Sequence, residues 1–314
     1  MNIVFIGSSK FGLRCLELLR SLPDLRVRGV VTAPQTFSIS YRPEGVTNVL
    51  YADVGNYCRT NDIPCVVMQS DMKDESLFAS VSAWEPDIFL VVGWYHMVPR
   101  RWRKLAPAYG LHASLLPDYS GGAPLVWAMI NGDKETGITL FQFDSGVDSG
   151  PILGQSSTVI DFFDTIATLY ARIENLGLEL IQKRLPALAD GSARLIPQDD
   201  SKRRIFPQRS PEDGRIDWEL PTSHLYDFIR AQTRPYPGAF TTWKGKPLHV
   251  WRALPAGSID TQKKMPGQII FSANKCLVNT GNGLLEILEA QYDGKDINGC
   301  ELRLNFEDGA ILGI

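Results

Sequence analysis

The chain is poor in the residues that build metal and disulfide chemistry. Its five cysteines, Cys15, Cys58, Cys65, Cys276 and Cys300, form no C-x-x-C pair, and with only four histidines no cysteine–histidine spacing suits zinc. They read as thiols of a reducing compartment. Long hydrophobic runs are also missing, so no segment reaches the length needed to span a bilayer. Met1-Asn2 passes straight into the apolar stretch Ile3–Ile6 without the basic start or cleavage site of a secretory leader, which makes the cytoplasm the expected address. Nor is charge of one sign in excess. Lys and Arg number 32 against 35 Asp and Glu, a net charge of −3, which argues against a general attraction for polyanions and leaves only a local basic patch.

What is present suits an enzyme of two domains. The 314 residues exceed the usual size of one core, and 44% hydrophobic with 21% charged residues is ordinary globular composition. Ile3–Ile6, Val27–Val31, Cys65–Met68 and Ile88–Val92 read as buried strands, alternating with helices over Phe11–Leu22 and Glu75–Trp84. This alternation predicts an α/β domain with a largely parallel sheet covered on both faces. Asp164 is placed to cap a longer helix that carries Ile166, Leu169, Ile173 and Leu180 at helical spacing and ends near Gly191. From Pro197 to Asp217 the chain turns polar, and Lys202-Arg203-Arg204 reads as a solvated stretch of linker, with contact to an acceptor phosphate as the alternative. Beyond a short helix at Thr222–Gln232, short strands with tight Gly turns describe a small antiparallel barrel or sandwich. The expected division is 1–195, a linker at 196–220, and 221–314.

Two stretches could carry chemistry. Gly7-Ser8-Ser9-Lys10-Phe11-Gly12 follows the first strand as an anion-binding turn would, but it lacks G-x-G-x-x-G spacing, and Thr32-Ala33-Pro34 stands where a ribose-binding carboxylate would end the second strand. Gly7 then simply lets the chain turn into its helix. Gly110–Gly154 is richer. His112 lies where the apolar run Leu111–Leu116 meets Pro117, and Asp148, in DSGVDSG, follows the apolar strand Ile138–Phe143. A lone histidine in such a run is commonly a core residue, and an aspartate before Ser-Gly commonly caps a turn; together they suggest one crevice.

Several separate motifs of the chain resemble the folate-dependent formyltransferases. VVGWYHMVP at Val91–Pro99 resembles the loop that binds the pterin, HASLLP at His112–Pro117 the catalytic strand and turn, and DSGVDSGPI the segment of the family aspartate. RSPEDGRIDW at Arg209–Trp218 and RPYPGAF at Arg234–Phe240 resemble the linker and second domain of members with a carboxy-terminal barrel. The resemblance implies a Rossmann-like formyltransferase fold with an OB-like carboxy-terminal β domain. It further implies N10-formyltetrahydrofolate as co-substrate without a metal, and His112 and Asp148 as the catalytic pair. His112 would donate to the oxyanion and shuttle a proton, while Asp148 orients and charges the imidazole. Trp94, Tyr95, His96, Met97, Val98, Leu115, Asp144, Gly146 and Val147 would surround the folate, largely through backbone groups; Trp94, Tyr95 and Trp127 are also ordinary packing candidates.

One departure stands out. Where the family has asparagine two residues before the histidine, a donor to the formyl oxygen, this chain has Gly110. A substitute donor, slower chemistry, a hydrolase, and a catalytically impaired folate- or nucleotide-binding protein are all compatible with that loss. The acceptor is a second question. Methionyl-tRNA formyltransferases share the domain plan but carry a basic insertion after the second strand, whereas PQTFSISYRPEGVTNVLYADV here has Arg42 as its only cation. The wording of the motifs is nearer to enzymes that formylate a nucleotide-linked amino sugar, so that acceptor is favoured over tRNA. Ser9, Lys10, Arg209, Arg234 and Tyr236 are the candidate acceptor contacts, and dimerisation through the barrel domain is plausible.

Overall fold

A seven-stranded sheet organises the amino-terminal half of the computed structural model, which describes residues 1–314 except 40–41, 258–264, 273, 300, 305 and 314. Cys300 therefore lies outside the described residues. The strands run Ile152–Val159, Glu135–Gln142, Ala108–His112, Ile88–Val91, Asn2–Ile6, Arg26–Thr32 and Cys65–Val67 across the sheet. Asn2–Ile6 lies inside the sheet, parallel to both neighbours, and Ile3 to Ile6 are wholly buried. Residues covered on both faces cannot alternate with polar ones, which is why the run is continuously apolar. Ala108–His112 is parallel to Ile88–Val91, and Glu135–Gln142 is antiparallel to it, pairing His112 with Thr139. The sheet is thus largely parallel with an antiparallel side. Strand order reverses beside Asn2–Ile6, and the carboxyl ends at Ile6 and Val91 flank that switch point, the place where open α/β sheets commonly bind ligands.

The helix Lys10–Ser21 buries Gly12, Cys15, Leu16 and Leu19, a stripe at helical spacing, and Ser9 caps its start through Oγ. Trp102, in the helix Arg100–Leu105, is completely buried, donates its indole N–H to the Met72 carbonyl at 3.0 Å, and packs on Phe89. Trp102→Ala should cost about 3–5 kcal/mol of stability, a loss that denaturant melts would read directly. No helix among the described residues is long and apolar enough to cross a membrane.

Contact density separates two compact units, and their boundaries are not contiguous in the chain. The first comprises Met1–Gly121, Thr136–Thr158 and Arg172–Ile205; the second comprises Gly122–Glu135, Val159–Ala171 and Phe206–Ile314. Two segments from within 1–195 thus group with the carboxy-terminal half: the helix Pro124–Ile130 packs against Thr222–Ala231. The second unit is built on an antiparallel sheet. Its strands run Ala239–Trp243, Lys246–Ala256, Leu284–Tyr292, Lys275–Asn279 and Ile269–Ser272, with Lys295–Asn298 also beside Leu284–Tyr292. Lys244 and Gly245, at φ +48° and +73°, make the tight turn between the first two, since such a turn needs two left-handed residues. Trp218, Leu225, Ile229, Val250 and Leu285 fill its core, so the stretch 196–220 ends as core rather than linker. Arg230, itself buried, donates to the carbonyls of Asp161 and Asp164 at 2.8 and 2.7 Å and pairs with Asp227.

Candidate active site

His112 is the last residue of its strand, and the chain then folds back so that the Tyr119 carbonyl meets its Nε2 at 2.7 Å. A carbonyl oxygen only accepts, so Nε2 carries a proton and Nδ1 is the nitrogen left to change state. Nδ1 faces Asp148 Oδ2 at 3.6 Å, close enough for charge to be felt and too far for a hydrogen bond. The two side chains are 12% and 23% exposed, respectively, so both are largely shielded yet reachable. The imidazole and the carboxylate proposed from separate segments do meet.

The loop carrying Asp148 is shaped by its own side chains. Asp144 Oδ1 accepts from the Gly146 amide at 2.9 Å and from Ser149 Oγ at 2.6 Å, closing a turn. Asp148 itself has φ +50°, a left-handed conformation that an L residue adopts at some cost. Its Oδ2 takes the Gly121 amide at 2.8 Å, and its carbonyl accepts from Gln198 Nε2 at 2.8 Å. Val147 at the tip is exposed, and Leu115 is half-buried on the turn after His112.

Gly110 has a clear packing reason. A Cβ there would lie 2.5 Å from Phe143 Cε1 and 3.0 Å from the Val91 carbonyl. The Phe143 ring, 5.0 Å from that of Phe141, thus fills the space that a side chain at 110 would enter. Nothing in the spacing of the sequence pairs these two positions.

The segment Trp94–Val98 is partly pinned. Trp94 Nε1 lies 3.2 Å from Met72 Sδ, Tyr95 Oη donates to Asn48 Oδ1 at 3.3 Å, and Val98 is buried. The His96 ring sits 5.3 Å from Phe37 and 5.4 Å from Trp94, and burial among them depresses its pKa below the ordinary histidine value. Its Nε2 is buried and has no hydrogen-bond partner among the described residues, whereas Met97 is 71% exposed. Asn48 was not legible as part of this region: it is wholly buried, donates to the Ser8 carbonyl at 3.2 Å, and so ties the loop after the first strand to Tyr95.

The turn Gly7–Gly12 has most of its amides already bonded. Gly7 donates to Val31 at 3.0 Å, Ser8 to Gly93 at 3.4 Å and Lys10 to Leu50 at 2.8 Å, while the Ser9 hydroxyl accepts from Gly12. An anion would find these donors occupied, and the Ser9 side chain is a buried helix cap, whereas Lys10 is exposed. Arg209, Arg234 and Tyr236 belong to the second unit. Arg209 donates to the Asp213 carbonyl at 2.7 Å and lies over Trp127 at 4.8 Å. Arg234 pairs with Asp296 at 2.6 Å over the Trp251 ring, and the Tyr236 amide donates to Thr233.

The basic cluster departs from the solvated reading. Lys202 is exposed, but the Arg203 side chain is only 12% exposed and turns inward onto Ser120 Oγ at 3.1 Å. Arg204 holds both Asp118 oxygens at 2.7 and 2.6 Å. A run of three cations reads as surface in a linear sequence; only the fold-back of the segment onto two loops makes the middle one interior.

A mostly parallel sheet whose strand-end histidine faces a carboxylate from an adjoining loop is an α/β frame that presents an imidazole and a carboxylate together. Residues 1–185 match the formyl transferase family, and residues 209–304 match the formyl transferase carboxy-terminal domain; the chain belongs to the formyltransferase family. It is 37% identical over 314 residues to a methionyl-tRNA formyltransferase of Solibacter usitatus, covering 94% of this chain and 92% of that one. With the methionyl-tRNA formyltransferase of Caldanaerobacter subterraneus subsp. tengcongensis it shares 32% identity over 320 residues, 99% of this chain and all of the other. Among solved structures, the sugar 3N-formyltransferase WlaRD, in the presence of dTDP and 5-N-formyl-THF, superposes with a TM-score of 0.64 at 16% identity, covering 94% of this chain and 98% of that chain.

Proposed function

We propose that this protein transfers the formyl group of N10-formyltetrahydrofolate to the amino group of a nucleotide-linked amino sugar. The observation that carries the transfer reading is the His112–Asp148 pair, with Nε2 fixed by a carbonyl and Nδ1 left facing a carboxylate at 3.6 Å. In the reaction the amine nitrogen attacks the formyl carbon, the carbonyl oxygen takes negative charge, and the bond to N10 breaks. The amine loses a proton and N10 gains one. Nδ1 is the site that accepts and returns it, and the Asp148 carboxylate stabilises the ring while it is cationic. Because the 3.6 Å gap leaves no direct bond between them, a substrate atom or a water can occupy the position beside Nδ1. Tyr95 and Met97, exposed beyond the strand end at Val91, are placed to contact the folate, with Leu115, Asp144, Gly146 and Val147 along the facing loops.

The sugar acceptor is supported by the short hairpin Thr36–Ile39 and Arg42–Thr47, which carries one cation, too little to hold an acceptor stem of phosphates. Formylation of methionyl-tRNA is the second reading, favoured by the full-length relatives of that name at 37% and 32% identity. Incubation of the purified protein with N10-formyltetrahydrofolate and, in separate reactions, dTDP- and UDP-linked amino sugars or charged initiator tRNA decides between them. Formamide on a sugar is the expected product by mass spectrometry. Formyl-methionyl-tRNA alone would establish the second reading, and donor consumed equally well without any acceptor would mark a hydrolase.

A further inference from the structure

The segment from Ile196 to Ile205 touches the candidate site at several points, all through groups one step behind the catalytic pair. Ile196 exchanges two backbone hydrogen bonds with Ile152, each 2.8 Å, which fixes the segment beside the strand after the aspartate loop. Gln198 Nε2 then donates to the carbonyls of Asp148 and Gly150 at 2.8 and 2.7 Å. Arg203 Nη1 donates to Ser120 Oγ and to the carbonyls of Val147 and Asp148 at 3.1, 3.3 and 3.4 Å, and its Nη2 to Gln198 Oε1 and Asp200 Oδ1. On the other loop, the Arg204 carbonyl takes the Ser120 amide at 3.0 Å, one residue after the carbonyl that holds His112 and one before the amide that holds Asp148.

We propose that Arg203, seconded by Gln198, is a positioning residue for catalysis, a guanidinium splint that joins the Tyr119–Gly121 and Val147–Gly150 loops and so sets the distance between His112 and Asp148. The proposal rests on the formyl-transfer reading of that pair. The chemistry fits arginine in particular. Asp148 is held at a left-handed φ of +50°, a conformation that its surroundings must impose, and three of the four carbonyls from residues 147 to 150 that could do so are taken by Arg203 and Gln198. The planar fork reaches both loops through Nη1 while Nη2 is held by Gln198 Oε1 and Asp200 Oδ1, a two-ended grip that a single ammonium nitrogen does not reproduce. Its Asp200 partner is exposed and on its own segment, so the ion pair aims the fork while the loops supply its inner contacts.

The test uses the full-length protein, with N10-formyltetrahydrofolate turnover and backbone hydrogen–deuterium exchange read side by side on wild type, Arg203→Ala, Arg203→Lys and Gln198→Leu. Arg203→Ala should lower kcat about 10- to 100-fold and raise KM for the folate donor much less, because the reacting groups are misplaced while the donor contacts at Tyr95, Met97 and Leu115 remain. Added methylguanidinium should restore much of that loss, and Arg203→Lys should remain impaired. Amides 146–150 should exchange about tenfold faster in Arg203→Ala. Unchanged kcat together with unchanged exchange at 146–150 overturns the proposal, as does a loss that appears only in KM. Should Arg203→Ala fail to fold, Gln198→Leu, which removes the bonds to the Asp148 and Gly150 carbonyls and leaves the Arg203–Asp200 pair in place, gives the same readouts. Wild-type protein that consumes no donor under any condition would defeat the formyl-transfer reading instead, and the exchange comparison would then decide the splint alone: faster exchange upholds it, equal exchange removes it.

Discussion

Alanine in place of His112 should slow formyl transfer by about 100- to 10,000-fold, the usual weight of a positioned acid–base group, while binding of the folate itself changes little. The separation follows from where the ring stands. Its Nε2 is committed to the Tyr119 carbonyl, so the residue contributes one mobile proton site rather than a large contact area. The fold should survive the change, because the ring lies at a strand end, partly exposed, and its strand partner Thr139 is held independently by its hydroxyl donating to the Ser114 carbonyl at 2.6 Å. Asparagine at Asp148 should lower turnover too, since the neutral amide offers the cationic ring no charge. Stopped-flow measurement of donor disappearance together with a fluorescence titration of folate binding checks both. Near-wild-type turnover in His112→Ala would remove the imidazole from the mechanism altogether.

The second large effect concerns Gly110. Restoring asparagine there should destabilise the protein by about 1–3 kcal/mol and fail to raise turnover, because a Cβ would meet the Phe143 ring at 2.5 Å and the Val91 carbonyl at 3.0 Å. Backbone conformation is not the obstacle, as Gly110 is absent from the residues with positive φ. Crowding is. Shrinking the ring first, in Phe143→Leu, should relieve most of that penalty, so the double variant should be more stable than the two single losses added together by about 0.5–3 kcal/mol. A double-mutant cycle in urea reads this coupling, and strict additivity would show that the ring does not hold the space. Should the double variant also turn over faster than Phe143→Leu alone, the asparagine amide can act as a donor here once given room.

The sheet was largely legible because its inner strands are mostly apolar runs: Ile3–Ile6, Val27–Val31 and Ile88–Val92 coincide with Asn2–Ile6, Arg26–Thr32 and Ile88–Val91 to within one residue. The helix after Asp164 was legible too, as Ile166–Ala189 with Asp164 accepting from Thr168 Oγ1 at 2.9 Å. Shorter elements carried too little pattern. Pro124–Ile130 is nearly all apolar, shows no face, and starts from Ala123 in a left-handed conformation that no local residue type announces. Ile152–Val159 alternates only in its second half. Of the candidate site, the meeting of His112 with Asp148 was readable since each residue stands out chemically from its surroundings. Its supports, Asn48, Gln198 and Arg203, act through backbone carbonyls far away in sequence, and a carbonyl leaves no mark on the residue that bears it.

A side chain at 110 and the aromatic ring at 143 compete for one space, so the two positions behave as a unit. An amide donor can be engineered beside the histidine without crowding only where the residue at 143 is made smaller in the same step, and a survey of single substitutions at 110 would miss it.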